Sequence, residues 1–197
     1  MKTLLNSICL FAFCAACAGC SGMRVEDFSE ATPRFVPEVA FDGQFRAHGL
    51  FYDRFGDVKR KFSMMLTGVP STDGISLHEE LRFDDGETLT RNYRFVRIDE
   101  HSYKVFCDDL VEPAEVRSYG NVLHWRYTLK QKIGDSVWNL RFSDWMFLQD
   151  DGTILNRAYV TKWGFDVGEI VLAAYPVDRG GTAPRGLNNS RGQSGLK

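Results

Sequence analysis

The sequence predicts an all-β domain over residues 41–176, an antiparallel meander that closes into a lipocalin-like up-and-down barrel of about nine strands. Runs rich in aromatic and β-branched residues alternate with turn clusters at a spacing of about 8–12 residues, which is typical of a sandwich or barrel. No stretch shows a 3.6-residue apolar stripe over three turns, which argues against long helices. Short links between successive runs favour antiparallel neighbours, and closing the sheet removes its exposed edges.

The predicted strands follow one another along the domain with a turn cluster at most of the links. The runs are 44–53, 58–69, 75–83, 88–99, 103–107, 122–129, 137–148, 153–163 and 167–175. The clusters, rich in Asp, Asn and Gly, are 55–57, 72–74, 84–86, 120–121, 134–135 and 150–152. These residues favour turns because Gly adopts positive φ and Asp or Asn side chains bond to nearby backbone groups.

The hairpin around residues 84–86 can be given a register. A three-residue loop with Gly86 at positive φ pairs Leu81 with Leu89 and Glu79 with Arg91. A two-residue loop would shift every pair by one residue. Matched cross-strand pairs favour the three-residue loop.

The run 137–148 places one carboxylate on an apolar face. Asp144 is in phase with Phe142 and Met146, and a buried carboxylate is costly unless it is paired or hydrogen-bonded. A three-residue turn at 150–152 brings Asp144 beside Ala158, with Asn156 diagonal to it. A two-residue turn would instead make Arg157 the diagonal neighbour and set Tyr159 directly opposite. Analogy with the earlier hairpin favours the three-residue turn.

Aromatic strand faces invite a ligand cavity, because binding pockets are mostly apolar with a few placed polar groups. One interpretation makes Asp144 a polar anchor within such a cavity, and the other makes it a structural carboxylate that fixes strand register. A filled barrel and a hollow one are equally consistent with the pattern. The candidate cavity residues are Trp125, Tyr127, Phe142, Asp144, Met146, Asn156 and Arg157.

Signals for catalysis, metals and cofactors are missing from the sequence. The four histidines lack metal-binding spacing such as His-x-x-x-His, and there is no Gly-x-Ser-x-Gly elbow. Cys107 has no thiol partner downstream of residue 20, so neither a disulfide framework nor a cysteine metal site is expected. We therefore predict no catalytic residue, no metal, no cofactor and no enzymatic activity.

The first twenty residues predict export and lipid anchoring. Lys2 precedes an uncharged apolar run that is too short to span a bilayer but suits a secretory signal ending in small residues. Cys20 follows Ala18-Gly19, as in a lipoprotein box, which makes residues 1–19 a lipoprotein signal peptide and Cys20 the acylated residue. Cys17 is the alternative acylation site, and cleavage near Ala16–Ala18 without lipidation also fits. Ser21, by resemblance to Gram-negative lipoproteins, favours the periplasmic side of the outer membrane.

The remaining segments flank the barrel. Residues 20–40 have little apolar periodicity and are predicted to be a lipid-anchored tether, and residues 177–197, rich in Gly, Asn, Ser and Arg, to be a disordered tail. The chain carries 24 Lys and Arg against 26 Asp and Glu. Because nucleic-acid binding calls for a basic face, no nucleic-acid partner is expected.

The motif from Arg141 to Leu148, continuing through residues 150–153 and 156–158, resembles a bacterial lipoprotein family, domain-of-unknown-function family 3833. Further matching pieces are 83–88, 124–127, 162–165 and 167–169, so the resemblance spans about residues 41–175. It implies a lipoprotein signal and no assigned activity. Genes of this family often lie near those of fatty-acid-modifying enzymes, which implies lipid handling.

Two leading functions remain open from these observations, with an enzyme acting on lipid as a third. The first is an outer-membrane lipoprotein whose barrel binds an apolar ligand such as a fatty acid or another lipid, with the membrane as its partner through acylated Cys20. The alternative is a structural or assembly module of the cell envelope that has no small-molecule ligand.

Overall fold

Ten antiparallel strands close into a single barrel in the computed structural model, which describes residues 22–177. The strands are β1 (Gly43–Asp53), β2 (Val58–Ser71), β3 (Gly74–Phe83), β4 (Thr88–Arg97), β5 (Ser102–Phe106), β6 (Ala114–Tyr119), β7 (Val122–Ile133), β8 (Ser136–Leu148), β9 (Ile154–Lys162) and β10 (Phe165–Pro176). Each strand pairs with its neighbours in sequence, and β1 pairs with β10 to complete the ring. The all-β, closed antiparallel meander is therefore confirmed.

The count of about nine strands was one short, because β6 was not predicted. Its inward-facing residues are Ala114, Val116 and Ser118, all buried against the interior. Two small side chains and a hydroxyl give a weak apolar signal, although the strand alternates correctly between buried and exposed residues.

Both predicted hairpin registers are present. In the loop at 84–86 the Phe83 N–H donates to the Glu87 carbonyl oxygen at 2.9 Å, and Gly86 has φ of 89°. Glu79 lies opposite Arg91 as expected. At 150–152 the same three-residue geometry recurs, and it pairs Asp144 with Ala158.

The N-terminal segment corrects the predicted tether. Within residues 22–42 a 3₁₀ helix (Val25–Phe28) lies on the outside of β6 and β7, and a short helix α1 (Pro37–Ala40) lies against β2 and β3. Val25 and Phe35 are buried. The apolar residues of this segment pack into separate sites on the barrel, so they show no helical or strand periodicity along the sequence. For that reason the segment looked like a linker in the sequence analysis.

Polar contacts hold this segment across one end of the barrel. The Phe35 N–H donates to the Gly120 carbonyl oxygen at 2.7 Å, and the Ser118 hydroxyl donates to the Phe35 carbonyl oxygen. The Glu38 carboxylate accepts from Tyr103 and from Arg97, each at 2.9 Å. We call this the closed end, where the β2–β3, β4–β5, β6–β7 and β8–β9 links also lie.

The opposite end of the barrel, which carries the β1–β2, β3–β4, β5–β6, β7–β8 and β9–β10 links, is the open end. The described chain starts and finishes at the closed end, where the Val177 N–H bonds to the Gln44 carbonyl oxygen. Between residues 22 and 177, no helix is long and apolar enough to cross a membrane. The predicted signal peptide 1–19, Cys20 and residues 178–197 of the predicted tail lie outside the described residues.

Candidate functional site

The barrel interior holds two adjoining cavities. Strand alternation turns one face of every strand inward, so the interior is lined mainly by aromatic and aliphatic side chains. A deep cavity of about 110 Å³ lies toward the closed end, and an outer cavity of about 380 Å³ lies at the open end. Phe62 and Tyr127 line both cavities, so these rings lie where the two meet.

Asp144 is the centre of a polar group in the deep cavity. Its carboxylate accepts a hydrogen bond from the Asn156 amide on β9 and another from the Tyr127 hydroxyl on β7, the latter at 3.2 Å. The Asn156 amide also donates to the Trp145 carbonyl oxygen at 3.2 Å. Burial raises the pKa of Asp144 to about 6, and the hydrogen bonds from Asn156 and Tyr127 oppose that rise.

Trp125 adds an unpaired donor to the same cavity. Its indole ring packs between Tyr93, Phe95 and Tyr127, and only 5% of the residue is exposed. The indole N–H favours the ionised form of Asp144, yet it reaches no acceptor in hydrogen-bonding geometry within the described chain. A buried N–H without a hydrogen-bond partner is costly, and this donor lies in the lining of the deep cavity.

Glu79 is a second carboxylate in the deep cavity, and the sequence analysis did not select it. It faces inward from β3, and what remains accessible of its side chain faces the cavity. Burial raises its pKa to about 7, an effect that the charge of Arg91 reduces. No ion pair or hydrogen bond within residues 22–177 holds the Glu79 carboxylate. Glu79 lies two residues from both Leu77 and Leu81, so the three side chains share one face of the strand. That spacing was the sequence signal that could have identified Glu79 as a cavity residue.

Arg91 is a cation of the deep cavity whose hydrogen bonds are directed elsewhere. Its Nε donates to the Asp109 carboxylate at 3.0 Å, and its Nη2 donates to the Gln131 side-chain oxygen at 2.8 Å. These contacts draw the guanidinium toward the wall of the barrel and away from Asp144. The deep cavity therefore contains two carboxylates that can accept hydrogen bonds and one unpaired donor, the Trp125 indole N–H, which we call the orphan donor. Among its lining residues there is no cation that is free of other hydrogen bonds.

The outer cavity is apolar with a charged margin. Phe142 lines the wall of the outer cavity and stacks on Tyr127, with the two ring centroids 5.1 Å apart. Arg60 lies over the Phe83 ring at 3.7 Å, and its guanidinium pairs with Asp85 and Glu87 at 2.7 and 2.9 Å. This arginine is committed to the β3–β4 turn.

Aromatic side chains project around part of the open end. We call Phe55, Trp138, Trp163 and Phe165 the aromatic rim; their exposed fractions range from 36% to 86%. The Lys162 ammonium lies 2.9 Å from the Trp138 ring centroid and 4.3 Å from that of Trp163. Four exposed aromatic side chains therefore lie at this end of the barrel, and a lysine contacts two of them.

The structure brings most of the predicted site residues together. Five of them line the deep cavity, and Phe142 lines the outer one. The five are Trp125, Tyr127, Asp144, Met146 and Asn156. Arg157 is a correction: it lies on the outer face, where its guanidinium pairs with the Glu169 carboxylate at 2.7 Å. Because side chains alternate along β9, placing Asn156 inward turns Arg157 outward.

Groups that could support other chemistry lie outside this cavity. His124 stacks on Trp145 on the outer face, and burial lowers its pKa to about 4. Burial raises the pKa of the Cys107 thiol, which makes it a poor nucleophile. Within the described residues, no three His, Cys, Asp or Glu side chains are grouped to hold a metal ion.

Comparison with known proteins gives a family and a fold. A family model described as a protein of unknown function, DUF3833, matches residues 14–175. No curated protein is similar enough to match. A crystal structure of a protein of unknown function from the DUF3598 family of Nostoc punctiforme is similar, with a TM-score of 0.51 and 16% sequence identity. The match covers 74% of this chain and 51% of that one, so this chain spans about half of its length. At this identity the likeness shows the fold alone.

Proposed function

The chain belongs to the DUF3833 family of proteins of unknown function, and from that starting point we propose that its barrel binds an apolar ligand such as a fatty acid or another lipid. The observation that carries the proposal is an interior that is hollow rather than filled, closed at one end and accessible from the other. The outer cavity alone, at about 380 Å³, is within the range of about 300–1,000 Å³ for ligand pockets. The binding mode would be lipocalin-like, with the ligand held along the barrel axis.

We propose binding rather than catalysis for these cavities. Neither is lined by Ser, Cys or His, the side chains that most often act as nucleophile or general base. The Asp144 carboxylate is held by a hydrogen bond from the Asn156 amide, an arrangement that suits a fixed polar anchor for a ligand.

Lipid anchoring in the outer membrane is part of the same proposal. Cys20 precedes the first described residue, Gly22, by two positions, and two residues span at most about 7 Å of extended chain. The following 3₁₀ helix lies at the closed end. An acylated Cys20 would therefore hold the closed end near the periplasmic face of the membrane, and the open end would point away from it.

The aromatic rim would serve ligand transfer. Trp, with an apolar body and a polar N–H, favours the boundary between lipid and water, and a neighbouring lysine can extend its ammonium toward head groups. The Lys162 contacts with Trp138 and Trp163 fit that arrangement. Because the open end would point away from the anchoring membrane, a sparingly soluble ligand could then pass between the outer cavity and a second lipid surface without crossing water.

Native mass spectrometry of the gently purified full-length chain, followed by organic extraction, tests the proposal. We expect a reproducible bound lipid that is lost in a Trp125→Ala variant and kept in Arg157→Ala, which changes an exposed residue of the outer face. Thermal denaturation of both variants separates lost binding from lost folding. A ligand-free mass together with no uptake of added fatty acids, fatty alcohols or other lipids would contradict the proposal.

One observation favours a second candidate, an assembly module of the cell envelope. The aromatic rim exposes apolar surface that a protein partner could cover as well as a lipid could. Crosslinking from position 163 in envelope preparations distinguishes the two, because a discrete protein adduct supports the module and labelled lipid supports the binding protein.

A further inference from the structure

We propose that the deep cavity receives an uncharged head group that both donates and accepts hydrogen bonds, such as a hydroxyl, and that it selects hydroxyl-bearing lipids over fatty-acid carboxylates. This inference rests on the proposed binding function and names the class of ligand. It depends on three features of the deep cavity: its acceptors, its orphan donor and its lack of a free cation.

The acceptors are two carboxylates from opposite parts of the barrel wall. Asp144 on β8 is oriented by Asn156 and Tyr127, and Glu79 on β3 faces the same space without an ion pair or hydrogen bond from the described residues. At pH 8, above the pKa of about 7 for Glu79 and of about 6 for Asp144, both carboxylates are mostly ionised. Ionised carboxylates offer only lone pairs, so they require a donor. A ligand hydroxyl supplies one.

The orphan donor is the indole N–H of Trp125. It is buried in the wall of the deep cavity and lies near the Asp144 carboxylate, whose ionised form it favours, but it makes no hydrogen bond of acceptable geometry with any group of the described chain. A partner for this N–H must offer a lone pair, as an oxygen atom does. A hydroxyl group carries both the proton that the carboxylates need and the lone pair that the indole needs, whereas an ammonium has no lone pair and an ionised carboxylate has no proton.

Charge disfavours a carboxylate head group further. Two carboxylates already share the cavity, and placing a third anion near them in a medium of low dielectric constant is strongly unfavourable. Arg91, the cation among the lining residues, is bound to Asp109 and Gln131. A fatty acid would thus lack the cation that usually neutralises a buried carboxylate.

The test compares ligands with the same dodecyl chain and different heads. Dodecanol, its methyl ether, dodecanoate and dodecylamine are titrated at pH 8 into the delipidated full-length protein by calorimetry. We expect dodecanol to bind at least about tenfold more tightly than each of the others, since one hydrogen bond to a charged group is worth that factor or more. Glu79→Gln and Asp144→Asn should each reduce the preference for dodecanol over dodecanoate, and Arg157→Ala should leave it unchanged.

The outcomes separate this inference from the function on which it rests. If no ligand of the series binds, the proposed function fails and the inference fails with it. If dodecanoate or dodecylamine binds as tightly as dodecanol, the barrel is a lipid-binding protein but the head-group inference is wrong. If the methyl ether equals dodecanol, donation to the carboxylates is excluded, which also overturns the inference.

Discussion

Replacing Asp144 with asparagine should change how the stability of the barrel depends on pH. In the folded state burial raises the pKa of Asp144 from 3.8 to about 6, so the folded protein holds this proton more tightly than the unfolded chain does. The contribution of Asp144 to stability is therefore fully present below pH 3.8 and is lost as the pH rises through 6. Each pKa unit corresponds to about 1.4 kcal/mol, which gives about 3 kcal/mol in all.

The measurable part of this effect lies within a convenient pH range. Between pH 4.5 and 7.5 the wild type should lose about 2 kcal/mol of unfolding free energy relative to Asp144→Asn. The difference between the two proteins matters because His124, whose pKa is lowered, gives the opposite pH dependence in both of them. Glu79 adds to the expected difference, since the charge of Asp144 helps to raise the pKa of Glu79.

Urea denaturation followed by tryptophan fluorescence at several pH values measures this difference. The other groups whose charge or hydroxyl faces Asp144 in the cavity, Arg91, Tyr93 and Tyr127, are present in both proteins and do not titrate between pH 4.5 and 7.5. Asp151→Asn is the control: Asp151 accepts the Thr153 N–H, its pKa is lowered, and it titrates below pH 4.5 in both states. A difference between wild type and Asp144→Asn that stays constant, or that grows in favour of the wild type as pH rises, would refute the assigned burial of this carboxylate.

Three further perturbations test the cavities, the closed end and the rim. Phe62→Ala should join the deep and outer cavities and improve the binding of longer fatty alcohols, at a stability cost of about 3–5 kcal/mol. Phe45 is buried but lies outside both cavities, so Phe45→Ala should cost as much stability without improving binding. Equal changes in binding for the two variants would contradict the placement of Phe62 between the cavities. In urea denaturation, Gly120→Ala should destabilise the protein by about 1–3 kcal/mol more than Gly134→Ala. Both glycines have positive φ, but of the two only a Cβ at position 120 would meet the Phe28 carbonyl oxygen. Equal losses of stability would mean that the N-terminal segment can move away from position 120 at no cost. Trp163→Ser should slow transfer of a fluorescent fatty alcohol from vesicles, measured by stopped flow, and leave equilibrium affinity unchanged; an unaltered transfer rate would exclude the rim from transfer.

Alternation and turn chemistry made most of the barrel predictable. The three-residue loops ending in Gly86 and Gly152 set the registers of two hairpins, and the second register brings Asn156 to Asp144. That contact could be anticipated because a carboxylate in phase with an apolar face needs a partner, and the diagonal position supplied one.

Other parts of the structure depend on contacts that no local pattern encodes. Phe35 fills the closed end through bonds with Gly120 and Ser118, which lie more than 80 residues further along the chain. Glu79 was placed opposite Arg91 in the sequence analysis, but its meeting with Asp144 required the curvature of the barrel. Arg157 was grouped with the cavity because two turn lengths were open, and one residue of register decides which side of the wall it faces.

The pairing of β1 with β10 has a consequence for when the barrel can fold during synthesis of the chain. Every other strand pair is joined by a local link, but the last seam brings Phe45 against Pro176 and Asp53 against Gly168. Pairing across such a separation is slow, because the entropy of closing a long loop must be overcome before its contacts form. The ring therefore closes only after the final strand has been synthesised and released. A nascent chain that stops before residue 165 keeps two open edges, each a template for aggregation.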